Sequence, residues 1–281
     1  MALNPALAAL VSSLKADEKA EQSASNMLIK IIDDYCKTGA FDKYLEHHSR
    51  DAAKYLYAEH PQERRGLFRA SSAGKCRQAE VFKIIHEPKT NDAKRKPGNF
   101  RALHNGTFTH ARYHLLFDAL HERGDIETLA AEELRFNSKY QLSGTIDRAI
   151  AIPFKQDTWV GILDFKSIKE VYYNRLIGAQ DDHKRQQEAY GILGWQDRES
   201  PDSSAWMMMY ENKNTHELKA YARSYDSEIR KELIDSWAAS IEWMGQYAKT
   251  NVAPFTLPLD TEWCSWCPWL KRCKELNGCP L

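Results

Sequence analysis

The stretch YQLSGTIDRAIAIPFKQDTWVGILDFKSI, residues 140–168, decides the fold. It reads as two β-rich runs, YQLSGTIDRAIAI and TWVGILDFKSI, separated by turn residues. Each run carries an acid where an apolar strand interior is expected: Asp147 in GTIDRA and Asp164 in ILDFKS. Residues two apart on a strand face the same side. Asp164 and Lys166 therefore point together, and Phe165 faces the opposite layer. Pairing the two runs brings Asp147 close to Asp164. Two carboxylates and an ammonium at one sheet end are costly to bury unless they bind something. A divalent cation answers that cost. Mg²⁺ or Mn²⁺ takes carboxylate oxygens, keeps waters and contacts phosphates. Such an ion polarises a phosphoryl oxygen and lowers the pKa of a bound water. Lys166 then orients or deprotonates that water, or neutralises charge developing at phosphorus. Taken alone, D-x-K also reads as a salt bridge near a strand end.

The flanking sequence places this pair in a central sheet. Residues 3–60 read as helices, with Met27, Ile31, Ile32 and Tyr35 at helical spacing and Gly39 as a stop. GLFRASSAGKCRQAEVFKIIHEP is an extended stretch, a turn and a helix closed by Pro88, and KTNDAKRKPGN is a basic loop. FRALHNGTFTHARYHLLFDALHERG is a long helix ending at Gly124, and AEELRFN is a further strand. HKRQQEAYGILGW returns to helix. SSAWMMMYEN and ELKAYARSY are two strands joined at NKNT, and a helix capped by Asp226 or Ser227 follows. Helix, three strands, helix, two strands, helix describes one α/β domain: a mixed sheet flanked by helices.

Two helices add polar groups. His110 lies in GTFTHARYH, four residues after Gly106. It can complete a carboxylate metal site, or be a surface histidine. Gln186 and Tyr190, in RQQEAY, are spaced i, i+4 and project from one face. They can hydrogen-bond a phosphate or the attacking water, or belong to an amphipathic helix.

The chain has 281 residues, 43% hydrophobic and 28% charged, enough for a sizeable core with an ordinary soluble surface. No run of about 18 apolar residues is present, so no membrane partner is expected. The start shows no basic lead, so a signal peptide is not expected. Formal net charge is zero, yet residues 61–115 hold twelve Lys/Arg against four Asp/Glu. A local basic patch of this kind binds phosphates even when the whole chain is neutral. Lys94, Arg95, Lys96, Lys184 and Arg185 are candidates for guiding a nucleic-acid backbone. The chain lacks the G-x-x-x-x-G-K-[ST] phosphate loop, which excludes a helicase motor.

The end of the chain poses a separate problem. CSWCPWLKRC, residues 264–273, packs Cys264, Cys267 and Cys273 into ten residues. Structural zinc and cubane iron–sulfur clusters take four ligands. Four of the six cysteines fall within the last eighteen residues, including Cys279. That is no disulfide scaffold; metal ligation in a reducing, cytoplasmic compartment is the expectation. Cys264, Cys267, Cys273 and Cys279 together form an all-local set that suits Zn²⁺. Cys36 reads as a plain buried thiol. Trp263, Trp266 and Trp269 are placed to shield a bound metal from water.

The ordered set GTFTH, GTID, ILDFKS and QQEAY resembles the RecB-like branch of the PD-(D/E)xK nucleases. The resemblance runs from about residue 66 to 275. It implies a restriction-endonuclease-like core at 66–255, a helical region at 1–65 and a cysteine appendage at 256–281. It implies that His110, Asp147 and Asp164, with the Phe165 carbonyl, ligate Mg²⁺ or Mn²⁺. Lys166 would be the catalytic lysine, and Gln186 and Tyr190 the helix motif. The iron–sulfur subgroup of this branch includes the Cas-four exonucleases and the nuclease part of AddB helicase–nucleases. Its members place one cysteine before the core and three after it, spaced C-x2-C-x5-C. The resemblance thus implies a [4Fe–4S] cluster on Cys76, Cys264, Cys267 and Cys273. The activity implied is metal-dependent exonucleolytic hydrolysis of single-stranded or end-bearing DNA. Phage-encoded members, in an infected bacterial cell, share the size and motif set. Two other functions fit the residues: a DNA-end-binding or assembly subunit with a vestigial centre, and a zinc-stabilised interaction module.

Overall fold

In the computed structural model, which describes residues 5–48, 67–89, 97–154, 157–193, 205–257, 264 and 267–277, the two runs bearing Asp147 and Asp164 are neighbouring antiparallel strands. They sit in a six-stranded mixed sheet. Its strands are β1 (Phe68–Arg69), β2 (Glu127–Asn137), β3 (Leu142–Phe154), β4 (Asp157–Ile168), β5 (Ala205–Asn212) and β6 (Leu218–Ser224). β2, β3 and β4 form an antiparallel meander, β5 runs parallel to β4, and β6 returns antiparallel to β5. β2 begins earlier than AEELRFN suggested, at Glu127.

The edges of β3 explain where a site can form. Leu142 and Ser143 pair with β2 on one edge and with Phe68 and Arg69 on the other. β4 takes that second edge only from Arg148, opposite Leu163, onward. Continuing the register would set Asp147 opposite Asp164, but there the strands part, and β4 continues beside β5 alone. Residues 144–147 of β3 thus border a fork between β1 and β4.

Helices cover both faces. On one lie α1 (Pro5–Lys37), α2 (Ala40–His48) and α4 (Pro97–Glu122); α3 is Arg77–Ile84. Leu28, Ile32, Phe117 and Leu120 pack there against Ile150, Phe165 and Met209. α1 also covers the outer edge of β6: the Ala222 N–H donates to Ser25 Oγ at 2.8 Å, and the Ser224 N–H donates to the Glu21 carboxylate. Satisfying an edge strand in this way removes a template for pairing with another chain. Gly39, with φ 66°, breaks α1 from α2 as the sequence predicts. The apolar stripe of α1 runs through Leu28, Ile32 and Tyr35, so Cys36, a further 100° round the helix, is exposed rather than buried.

The other face carries α6 (Asp181–Ile192) and α7 (Ser227–Thr250), after the short α5 (Glu170–Tyr173). Ala189, Leu193 and Trp237 pack on Ile146, Ala149 and Ile162. Asp226 caps α7, its side chain accepting from the N–H groups of Glu228 and Ile229 at 2.8 and 3.2 Å. A third apolar cluster joins α3, α7 and the tail helix α8 (Leu270–Asn277) through Phe82, Trp243, Leu257 and Trp269. Among the described residues no helix is long and apolar enough to cross a membrane.

Candidate active site

At the fork a side chain of β3 bridges to the backbone of β4. The Phe165 N–H donates to Asp147 Oδ2 at 3.0 Å, which ties the two strands where their ladder ends. The side chains of β4 alternate as the sequence predicts. Phe165 enters the α4 layer, its ring 5.3 Å from both Tyr113 and Phe117. Asp164 and Lys166 share the opposite side, with the ammonium against Asp164 Oδ2. Gln186, on α6, donates to Asp164 Oδ1 at 3.1 Å and to the Tyr190 hydroxyl at 3.0 Å. His110, on α4, places Nδ1 3.6 Å from Asp147 Oδ2. His110, Asp147, Asp164, Lys166, Gln186 and Tyr190 are therefore gathered from four elements into one site.

The electrostatics follow from burial. Asp164 is only 1% exposed. Desolvation, reinforced by the neighbouring Asp147, pushes its pKa up to about 6 despite Lys166. Asp147 moves the other way: burial opposes its charge, but His110, Lys166 and the Phe165 N–H outweigh that and lower its pKa. Burial likewise works against the Lys166 ammonium, yet the two carboxylates hold its pKa above the usual lysine value. Burial raises the Tyr190 phenol well above 10, and Asp164 and Asp147 add to it, so its O–H stays a donor. The site thus holds a charged lysine between two buried carboxylates whose pKa values move in opposite directions.

Three features were not legible in the sequence. Glu132, opposite Asp147 on β2, has φ 47°, a left-handed conformation that costs a non-glycine residue energy. Its carboxylate contacts Nε2 of the buried His114 at 2.6 Å. His114 lies one turn beyond His110 and sets its ring edge against Phe165. Arg69 joins from β1: a cavity of ≈ 330 Å³ is bounded by Arg69, His110, Glu132, Asp147 and Tyr190 among others. Gly144 of GTID makes room for this packing. A β-carbon there would lie 2.9 Å from Ala70 Cβ and 3.0 Å from the Tyr190 ring.

Among the described residues, no three His, Cys, Asp or Glu side chains converge as a ready-made metal site. The carboxylates turn to protein donors instead, Asp147 to the Phe165 N–H and Asp164 to Lys166 and Gln186. The donor chemistry nevertheless fits a hard cation. Asp164 Oδ2 is buried, and the Lys166 ammonium lies against it, so a cation already occupies the side of the carboxylate that a metal would take. A testable pH dependence follows. Asp164 has its pKa raised on folding from 3.8 to about 6. Its contribution to stability is then full below pH 4 and is lost as pH rises through 6. The loss is on the order of 3 kcal/mol from this group. In chelator, Asp164→Asn is expected to gain stability relative to wild type between pH 5 and 7.5. Thermal melts check this; parallel pH profiles would refute it.

Cys76, Cys264, Cys267 and Cys273 all line one cavity of ≈ 630 Å³ between α3 and the tail. Cys76 is the residue before α3, and Cys264 and Cys273 are buried. The tail is also tied without metal. Trp269 Nε1 donates to the Glu87 carbonyl at 2.8 Å, and Arg272 Nε donates to the Glu87 carboxylate at 2.8 Å. Trp269 lines the same cavity as the cysteines; Trp263, Trp266 and Cys279 lie outside the described residues, as do Lys94, Arg95 and Lys96. Lys184 and Arg185 are paired at the surface with Asp181 and Glu232.

The cysteine loop touches α6, the helix that bears Gln186 and Tyr190. A β-carbon on Gly74 would lie 2.5 Å from Asp182 Cα, in the first turn of α6. Both are backbone-anchored, so neither gives way cheaply. Gly74→Ala is expected to cost about 2 kcal/mol and to lower the melting temperature by roughly 4–8 °C, which calorimetry would show.

The family model of the PD-(D/E)XK nuclease superfamily matches residues 15–274, and the chain belongs to that superfamily. The match takes in most of α1, which the motifs alone had left outside. No curated protein matches the sequence. Among solved structures, the chain is similar to SSO0001, with 15% identity and TM-score 0.42, over 84% of this chain and 95% of that one. It is also similar to the alkaline exonuclease LHK-Exo from Laribacter hongkongensis, with 10% identity and TM-score 0.43, over 66% of this chain and 94% of that one. The complex of LHK-Exo with dAMP gives 12% identity and TM-score 0.43, over 67% and 94% of the two chains.

Proposed function

We propose that this protein is a metal-dependent exonuclease that hydrolyses phosphodiester bonds at DNA ends, preferring single strands. The observation that carries this reading is the fork. It buries Asp164 beside Lys166 and Gln186 and holds Asp147 on the Phe165 N–H. Such an arrangement is costly for a structural ion pair and apt for a cation and a phosphate. Asp147, Asp164 and His110, with the Phe165 carbonyl, would hold Mg²⁺ or Mn²⁺. When bound, the ion supplies Lewis acidity at the phosphoryl oxygen and lowers the pKa of a water.

The chain's own groups do the rest. Lys166, held as an ammonium by two carboxylates, donates hydrogen bonds to the phosphate and offsets the charge that grows on it. It is not poised to take a proton. Gln186 fixes Asp164 through one amide hydrogen and the Tyr190 hydroxyl through the same nitrogen. Tyr190, kept as a phenol, is left with its O–H to offer to a phosphate oxygen. Contacts to a phosphate and a cation carry no base information, so little sequence preference is expected. Cleavage of end-labelled linear single strands, linear duplex and closed circles in Mg²⁺ or Mn²⁺ tests the reading. Survival of circles alongside loss of linear DNA supports it; equal cutting of circles defeats the requirement for ends.

The four cysteines are assigned to a [4Fe–4S] cluster with a structural role. The cavity they line supports this. Cys76 lines it together with Cys264, Cys267 and Cys273, the four thiols that the cluster takes. Iron and acid-labile sulfide near four of each per chain is the expected analysis.

A further inference from the structure

We propose that the catalytic cleft continues past the scissile position as a track for the phosphates of one DNA strand. It would run over Arg69 to Lys83 and Lys89, with Trp269 of the tail as its far wall. The proposal rests on the nuclease reading and extends it to how substrate is held.

Arg69 stands at the junction. It borders the cavity that contains His110, Asp147 and Tyr190, and also a second cavity of ≈ 670 Å³. That second cavity is lined by Lys83, Lys89, Leu67 and Trp269, among others. The charges around it do not cancel. Its two acids are already engaged: Glu80 in a buried pair with Arg77, and Glu87 with Arg272 at 2.8 Å. Among the described residues, no carboxylate pairs with Arg69, Lys83 or Lys89. Neighbouring arginines differ: Arg185 and Arg230 each hold a glutamate. Lys83 and Lys89 are exposed, as is the Ser71 hydroxyl beside Arg69.

A row of uncompensated cations leading out of a phosphodiesterase site is suited to successive phosphates. Leu67, 42% exposed, supplies apolar surface for a base, and the largely buried Trp269 closes the far side. Cationic grooves with apolar or aromatic walls are how proteins hold single strands without reading sequence. Trp269 also borders the cysteine cavity. The metal clamp would thereby set the far wall of the track.

The test is steady-state cleavage by the full chain carrying Lys83→Ala and Lys89→Ala, with Arg69→Gln alongside. Both lysines are exposed, so the double variant folds. Labelled single strands of about four and about sixteen nucleotides serve as substrates. On the long strand the double variant is expected to raise KM about tenfold with kcat unchanged. The slope of log affinity against log salt should shrink by about 1.4, two phosphate contacts at about 0.7 each. On the short strand its KM should barely change, while Arg69→Gln lowers kcat/KM on both lengths. An unchanged KM and salt slope on the long strand overturns the track. So does an equal loss on both lengths, which would put the lysines at the reacting end. Absence of cleavage by wild type on either strand defeats the nuclease reading itself, a distinct result.

Discussion

Asp164→Asn is expected to lower the rate of DNA hydrolysis by at least about a thousandfold, with the protein folded and no less stable in chelator. Asparagine preserves the shape of the side chain and keeps an oxygen for the Gln186 amide. It removes the charge that would draw a cation into the fork and that faces the Lys166 ammonium. Loss of one preorganised electrostatic partner at a phosphoryl site costs roughly 10²–10³ in kcat. Loss of the cation with it takes away the main source of charge stabilisation. Lys166→Met should be milder, about a hundredfold or more, because the carboxylates remain. A purely structural D-x-K pair predicts the reverse: both variants would lose stability and neither would lose a rate. Side-by-side digestion of end-labelled linear DNA by wild type and variants, with melting curves in chelator, separates the two. If wild type cleaves nothing and the variants bind DNA ends as it does, the centre is vestigial and the protein is an end-binding subunit.

Much of this site was legible because it rests on local rules. The two-residue period of a strand put Asp164 beside Lys166 and sent Phe165 to the other layer. The four-residue spacing on α6 put Gln186 and Tyr190 on one face, and Gly39 marked the break between α1 and α2. What stayed hidden depends on tertiary pairing. Arg69 is one of twelve basic residues between 61 and 115, and nothing local distinguishes it from Arg77. The difference is that Arg77 folds against a glutamate three residues on while Arg69 faces the cleft. The ion pairs of Lys184 and Arg185 were hidden for the same reason, since their partners come from the helix start and from α7. Glu132 lies in a run that reads as ordinary strand, and only its left-handed backbone beside the fork marks it. Gly74 reads as a turn residue; its close approach to α6 is a property of the assembled fold.

The second large effect concerns the ends of the chain. Cys76 and Cys264 are separated by almost the whole catalytic core, and a shared cluster would cross-link them. In the chain-entropy picture a closed loop of nearly two hundred residues restricts the unfolded state by about 5 kcal/mol. Cys76→Ser is therefore expected to abolish iron and sulfide binding and to lower the melting temperature by roughly 10–20 °C. The residual contacts of the tail bound this loss. Trp269 packs near Phe82 and donates to Glu87, and Arg272 reaches both Glu87 and Tyr247, so α8 need not detach fully. Cys279→Ser supplies the contrast. With the cluster on Cys76, Cys264, Cys267 and Cys273 it leaves metal content and melting unchanged. With an all-local zinc site on Cys264, Cys267, Cys273 and Cys279 the outcomes exchange: Cys279→Ser loses zinc, and Cys76→Ser is silent. Because Gly74 is pressed against Asp182 in the loop just before Cys76, the cluster reading makes one further demand. Cys76→Ser should also loosen the start of α6, and amide exchange over residues 181–186 should rise there ahead of exchange in β3. Unchanged protection in that turn would confine the clamp's influence to the tail.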